Sequence, residues 1–145
     1  MINFGLLGAG LVMGISAIGS GIGIGYAGQA TIGAWKKCYV ANKPAPMMLL
    51  AFAGAPLTQT FYGYILMGQM INAASADQTN TWLYIGYGLA SGFAIAFSAI
   101  VQGKIGAAAA DAQAETGKGF AQYIAVVGIA ETIALFAMVL TMISL

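Results

Sequence analysis

Glu131 is the residue whose position in this sequence most strongly indicates chemistry. It lies near the middle of an apolar run from Gly119 to Leu145 and is the only charged side chain in that run. A carboxylate close to the centre of a bilayer costs about 2.5–3.5 kcal/mol on insertion scales, and ionisable residues at that depth are functional by default. We therefore ask what Glu131 binds and which residues supply the other ligands.

Two glutamine side chains are predicted to lie at the depth of Glu131. In an antiparallel helical hairpin, two residues share a level when the midpoint between them falls in the turn. The midpoint of Gln102 and Glu131 falls near residues 116–117, and that of Gln59 and Gln102 near residues 80–81, both in predicted connectors. Thr58 adds a hydroxyl beside Gln59. Carboxylate, amide and hydroxyl oxygens suit a hard cation rather than a soft metal.

Other interpretations of these polar residues stay open. Gln59 and Gln102 could simply form an interhelical hydrogen bond, and Thr58 could bond back to its own helix. Tyr62 could be a packing residue, or its hydroxyl could bond the glutamate. Pro56 lacks a backbone N–H, so it should free a carbonyl one turn earlier and bend its helix beside the site.

The composition places these residues in a membrane protein. Of the 145 residues, 60% are hydrophobic and 6% are charged, whereas a soluble domain has about 25% charged residues. The single cysteine, Cys38, excludes an intramolecular disulfide and a cysteine-based metal site. No basic patch predicts a nucleic-acid partner. A glycine pattern at residues 23–28 matches the dinucleotide fingerprint but lies inside a membrane helix, so no organic cofactor is expected.

Four apolar runs are long enough to cross a bilayer, which takes about 20 residues each. We predict helices at Phe4–Ala34, Met47–Asn72, Trp82–Ala109 and Gly119–Ser144. The lysines lie in the first connector or flank the third. By the positive-inside rule, these two connectors are cytoplasmic and both termini lie on the opposite side. The predicted fold is all-α, with four transmembrane helices.

The chain also contains an internal repeat. Gly10-Leu-x-x-Gly14 matches Gly88-Leu-x-x-Gly92, and the segment around Leu57 aligns with the segment around Glu131. We therefore predict two duplicated hairpins, residues 1–72 and 82–145, within one integrated four-helix unit. Because leucine replaces the glutamate in the first hairpin, each unit should carry one ion carboxylate.

Small residues recur along one stripe of the first and third helices. Such stripes allow close approach of helix backbones in lipid. One interpretation is that these helices form the closed inner circle of a ring, and the alternative is tight packing inside a monomer. The residues predicted to serve ring packing are Gly10, Gly14, Gly21, Gly25, Gly28, Gly88, Gly92, Gly103 and Gly106.

The motifs around these residues resemble those of a known family. The duplicated glycine-rich hairpins, Pro56-x-Thr58-Gln59-x-x-Tyr62-Gly63 and Ala130-Glu131-Thr132 are similar to the membrane rotor proteolipid of V-type (vacuolar/archaeal-type) rotary ATPases. The resemblance implies a ring of identical subunits in the cell membrane. Such a ring turns against a stator subunit with an essential arginine and is coupled to ATP hydrolysis or synthesis in a soluble head. It also implies a non-catalytic subunit.

The resemblance further implies an ion site. In the sodium-transporting members, the matching positions bind Na⁺. Carried over, they are Glu131, Thr58, Gln59, Gln102 and the backbone carbonyl of Ala55, with Tyr62 bonding the glutamate. This set favours Na⁺ over H⁺, because a proton needs only the carboxylate and a means of shielding it.

Partners and rival functions follow from the same interpretation. A central-stalk subunit is expected on the cytoplasmic side, with the connector Lys36–Pro46 as a candidate contact, and membrane lipids surround the ring.

A stand-alone oligomeric ion channel is one alternative function, although polar residues occur only at mid-depth in the helices. A purely structural membrane scaffold is another, but it leaves the matched depths of Glu131, Gln102 and Gln59 unexplained.

Overall fold

A computed structural model describes residues 3–145, and over these residues the prediction of an all-α fold is confirmed. The α-helices are α1 (Gly5–Val40), α2 (Leu50–Gly54), α3 (Thr58–Ala76), α4 (Thr81–Thr116) and α5 (Phe120–Ser144). By length and composition, α1, α4 and α5 can each cross a membrane. The predicted first hairpin starts at residue 1, so its first two residues lie outside the described part of the chain. The division into two hairpins stays a prediction.

The predicted second helix is interrupted rather than continuous. After a short 3₁₀ turn at Met47–Leu49 it runs through α2, turns again as a 3₁₀ segment at Ala55–Leu57, and continues as α3. The cause is Pro56, whose ring and missing N–H remove an α-helical hydrogen bond. The break places the irregular backbone directly before Thr58.

Two helices are longer than the apolar runs predicted. The first ends at Val40 instead of Ala34, and the third ends at Thr116 instead of Ala109. Lys104 lies inside α4, as its place within the predicted range Trp82–Ala109 requires. The apolar run marks only the residues expected to contact lipid. The helix continues beyond that run because alanine, glutamine and glutamate are good helix formers in water as well.

The first and third connectors meet at one end of the molecule. Lys37 Nζ lies 2.6 Å from Asp111 Oδ1 across this end, and this contact raises the pKa of the exposed lysine. α4 ends at Thr116, and the next residue, Gly117, has a φ of 67°, the left-handed conformation that terminates many helices. The opposite end holds the second connector, where Asp77 Oδ1 accepts the backbone N–H of Thr79.

α1 and α4 form the centre of the fold and approach each other unusually closely. A Cβ atom added at Gly103 would lie 2.2 Å from the carbonyl oxygen of Gly23, and one at Gly88 would lie 2.1 Å from the carbonyl oxygen of Gly8. A Cβ at Gly19 would lie 2.3 Å from the α-carbon of Ala96. These contacts are backbone against backbone, so the small residues are required for the two helices to meet.

The predicted glycine stripe is divided between two environments. In α4, all four predicted positions contact the chain itself, including Gly92, where an added Cβ would lie 3.1 Å from Ile15 Cβ, and Gly106, where it would lie 2.8 Å from the carbonyl oxygen of Phe52. Tight packing inside the monomer, the alternative interpretation, therefore describes the α4 positions. In α1, the added Cβ would meet nothing within 4 Å at any predicted position, namely Gly10, Gly14, Gly21, Gly25 and Gly28. Their role in ring packing stays a prediction.

α3 packs along α1, and α5 packs along α4 on the outside of the bundle. Much of α5 presents large apolar side chains to the surroundings, such as Ile129, Phe136 and Ile143. This is the pattern of a helix that faces lipid or a neighbouring membrane helix rather than water. The arrangement holds one face of α5 against α3 and α4, and that face includes Glu131.

Candidate functional site

The carboxylate of Glu131 lies between α5, α3 and α4 and is half-buried. Tyr62 Oη, on α3, donates a hydrogen bond to its Oε1 atom. Gln102 Nε2, on α4, donates to its Oε2 atom at 3.3 Å. Each oxygen of the carboxylate is therefore contacted by a different helix, and the side chain is held at the junction of all three.

Gln59 and Gln102 form a buried chain of amides behind this carboxylate. Both side chains are fully buried, and Gln59 Nε2 donates to Gln102 Oε1 at 2.9 Å. Gln102 Nε2 also donates to the backbone carbonyl of Val127 at 3.0 Å. Because this carbonyl can only accept, the amide of Gln102 must turn its nitrogen toward Val127 and its oxygen toward Gln59. Gln59 must then present its own nitrogen to that oxygen.

The orientation of the amides leaves the oxygen of Gln59 directed toward the helix break. Thr58 Oγ1 lies 3.3 Å from Gln59 Oε1 and donates to the carbonyl oxygen of Ala55 at 2.9 Å. That carbonyl belongs to the 3₁₀ segment that Pro56 creates. Three neutral oxygens of different chemical types thus cluster together and are linked through Gln59 and Gln102 to the carboxylate. Oxygen ligands of these types suit a hard cation.

Ser98 fixes α5 against α4 at the same level. Its Oγ atom donates to the backbone carbonyl of Ala130 at 2.7 Å, and both residues are buried. The hydroxyl contacts the residue directly before Glu131, so it sets the rotation of α5 and the direction in which the carboxylate points.

The charge of Glu131 has no cationic partner among residues 3–145. Its hydrogen-bond partners in this part of the chain are a phenol and an amide, which are neutral. The salt bridge that the described residues form, between Lys37 and Asp111, lies at the connector end. A carboxylate in apolar surroundings is neutralised or paired, since an isolated charge there is costly. A cation bound at this carboxylate would lower that cost.

The six residues proposed for the ion site all lie in this one cluster. Gln59, Gln102 and Glu131 are linked by hydrogen bonds, as their matched depths suggest, and Ala55 and Thr58 adjoin them. Sequence reasoning missed the carbonyl of Val127, because a backbone group carries no sequence signal. Its position one helical turn before the glutamate, on the same face, is the clue that was present.

Comparison with known proteins adds two findings. The family model for the C subunit of ATP synthase matches residues 85–144, which contain most of α4 and all of α5. A-type ATP synthase subunit K of Methanocaldococcus jannaschii is 31% identical over 142 residues. The alignment covers 97% of this chain but 61% of that relative, so the chain spans about three-fifths of its length. Residues 85–144 therefore match the ATP synthase C-subunit family, and nearly the whole chain is similar to an A-type ATP synthase subunit K.

Proposed function

We propose that this chain is the ion-carrying rotor ring subunit of a V-type rotary ATPase and that it translocates Na⁺ through the carboxylate of Glu131. The observation that carries the proposal is a carboxylate without a cationic partner at the junction of three apolar helices, linked through Gln102 to the oxygens of Gln59, Thr58 and Ala55. The similarity to the C and K subunits of ATP synthases supports the same assignment.

The proposed cycle follows from the charge of the site. With Na⁺ bound, the carboxylate is neutralised, and the loaded protomer can face lipid at an acceptable cost. Near the arginine of a stator subunit, the carboxylate pairs with that arginine instead and releases its ion. Rotation brings the next loaded protomer into place. Moving one elementary charge across 100 mV involves about 2.3 kcal/mol, and ATP hydrolysis in a separate soluble head would supply that energy. The chain itself is then not a catalyst.

The site contains oxygen ligands that a proton does not need, and these ligands favour Na⁺ over H⁺. A protonated carboxyl requires shielding and one acceptor, and the hydroxyl oxygen of Tyr62 could accept its proton. It gives the hydroxyl of Thr58 no role beyond its bonds to the carbonyl of Ala55 and the oxygen of Gln59. Na⁺ would use all three. A proton-carrying ring is the second candidate, and it keeps the same rotor function.

The proposed partners follow from the ends of the molecule. Identical subunits would form the ring through the open glycine face of α1. A central-stalk subunit would contact the cytoplasmic connector that includes Lys43, which shares a surface depression of about 400 Å³ with Glu115 and Gly117. We place the ring in the cell membrane, with the lysine-bearing connectors in the cytoplasm and both termini on the other side.

Carbodiimide labelling tests the ion. The reagent should modify Glu131 of the purified membrane protein at neutral pH, and Na⁺ should slow the modification because it occupies the carboxylate. Thr58→Val removes one ligand while keeping the side-chain shape. We expect about tenfold more Na⁺ to be needed for half-protection, the order of one lost polar contact to a charge. Labelling that Na⁺ does not change would indicate a proton ring.

A further inference from the structure

α4 has a second apolar face, which residues 3–145 leave uncovered. Phe93, Phe97 and Val101 are 52%, 62% and 46% exposed. They follow one another four residues apart, so they lie on one side of the helix. Gly86 and Ala90 are also exposed and continue this side toward the N-terminal end of α4. We call these five residues the exposed face of α4.

The internal repeat shows what a face of this kind packs against. Aligning Gly10 with Gly88, and Gly14 with Gly92, gives each residue of α1 a counterpart in α4. The counterparts of the exposed face of α4 are the α1 residues Gly8, Val12, Ile15, Gly19 and Gly23. All of these α1 residues contact α4 within the chain. The exposed face of α4 therefore corresponds to a face that is covered in α1.

The converse holds for the open glycine face of α1. The α4 residues that pack within the chain include Gly88, Gly92, Gly103 and Gly106. Their counterparts in α1 are Gly10, Gly14, Gly25 and Gly28, where an added Cβ would meet nothing within 4 Å.

The chain thus presents both halves of its own α1–α4 contact on opposite sides, and each half is uncovered. The contact within the chain joins two different faces, so continuing it from copy to copy is a heterologous contact. Heterologous contacts close into rings when the rotation between copies allows it.

We propose that the exposed face of α4 packs against the open glycine face of α1 in a second copy of this chain, in the register of the contact inside the chain. Gly92 packs against Ile15 within the chain, so Phe93 lies against Gly14 of the neighbouring copy. The inference rests on the proposed function, because a ring of identical subunits is part of it. It adds the two faces that meet and the register between them.

The contact between copies should be wider than the contact within the chain. Gly19 and Gly23 allow backbone to touch backbone inside the chain, but their α4 counterparts are Phe97 and Val101. These larger side chains would fill the space above the open glycines of the neighbouring α1. Helix axes pack about 8–10 Å apart, depending on the side chains at the contact. The spacing around the inner wall should therefore alternate between narrow and wide.

Disulfide formation between copies tests the register. Within the chain, a Cβ added at Gly92 would lie 3.1 Å from Ile15 Cβ. The equivalent pair between copies is Gly14 with Phe93, and the wider contact brings its Cβ atoms toward the separation of about 3.5–4.5 Å that a disulfide spans. Membranes carrying Gly14→Cys and Phe93→Cys, with Cys38→Ala, are oxidised. Denaturing gels should then show covalent products larger than dimers, and reduction should return them to single chains.

The matched control combines Gly14→Cys with Phe97→Cys. It moves the second sulfur by one helical turn along the same face and should give far less covalent product. A second pair, Ile18→Cys with Phe97→Cys, tests the same register without enlarging a glycine. Within the chain, a Cβ added at Gly19 would lie 2.6 Å from Ala96 Cβ, and this second pair is its equivalent between copies. It should also form products larger than dimers.

The outcomes separate the register from the ring and from the ion. Native gels that show intact rings, when neither cysteine pair forms a disulfide, would overturn the proposed contact and leave the ring. Dimers from Phe93→Cys alone would overturn it as well, because two α4 faces would then meet each other. Single chains from the unmodified protein would overturn the ring itself. Covalent ladders together with carbodiimide labelling that Na⁺ does not slow would support the contact and overturn Na⁺ as the transported ion.

Discussion

Replacing Glu131 with glutamine should abolish ATP-driven ion transport and should lower the affinity for Na⁺ by at least about a hundredfold. The substitution keeps the shape of the side chain but removes the negative charge that the cation pairs with. Removing one partner of a buried charge pair costs about 3–5 kcal/mol, and each factor of ten in affinity corresponds to about 1.4 kcal/mol. Transport is measured as uptake of radioactive sodium by vesicles that contain the whole complex.

The matched control for this substitution is Glu115→Gln. Glu115 is an exposed carboxylate near the C-terminal end of α4, so its loss should leave transport close to the unmodified level. The helices should form in both variants, because the new amide can accept from Gln102 with its oxygen and donate to the hydroxyl oxygen of Tyr62 with its nitrogen. Normal ATP-driven transport in Glu131→Gln would favour a purely structural role for this chain.

The composition of the site could be predicted from sequence because few polar residues occur in the apolar runs. Only Gln59, Gln102 and Glu131 needed to be compared, and counting residues to the midpoint of each connector placed them at one depth. Pro56 likewise indicated an irregular backbone, although not its 3₁₀ form. Counting gives a level along the helices but no rotation about them, which is why the hydrogen bond of Ser98 to Ala130 was not foreseen.

The packing of the central helices was harder to predict, and the reason is the number of small residues. α1 carries two glycine faces, and periodicity alone does not say which of them meets α4. The structure uses Gly8, Gly19 and Gly23 for that contact and leaves the predicted face, represented by Gly14, open. Helix lengths were underestimated for a related reason, since hydropathy reports the span within lipid and not the helical residues beyond it.

Gly103→Ala should strongly destabilise the fold. The added methyl group would lie 2.2 Å from the carbonyl oxygen and 2.4 Å from the α-carbon of Gly23. Both are backbone atoms and cannot rotate away, so α1 and α4 must separate along their contact. Overpacking costs about 1–3 kcal/mol where side chains can adjust, and we expect the upper end of that range or more here. The measurement is the detergent or thermal midpoint of unfolding of the purified protein.

Gly14→Leu is the counterpart that distinguishes packing within the chain from packing between chains. An added Cβ at Gly14 meets nothing within 4 Å in its own chain, so the fold of the single chain should tolerate a leucine there. If the open face of α1 forms the inner wall of a ring, the larger side chain should prevent closure, and native gel electrophoresis should show single chains in place of the ring. Intact rings from Gly14→Leu, together with a stable Gly103→Ala, would contradict both the ring role of the open glycines and the close contact of α1 with α4.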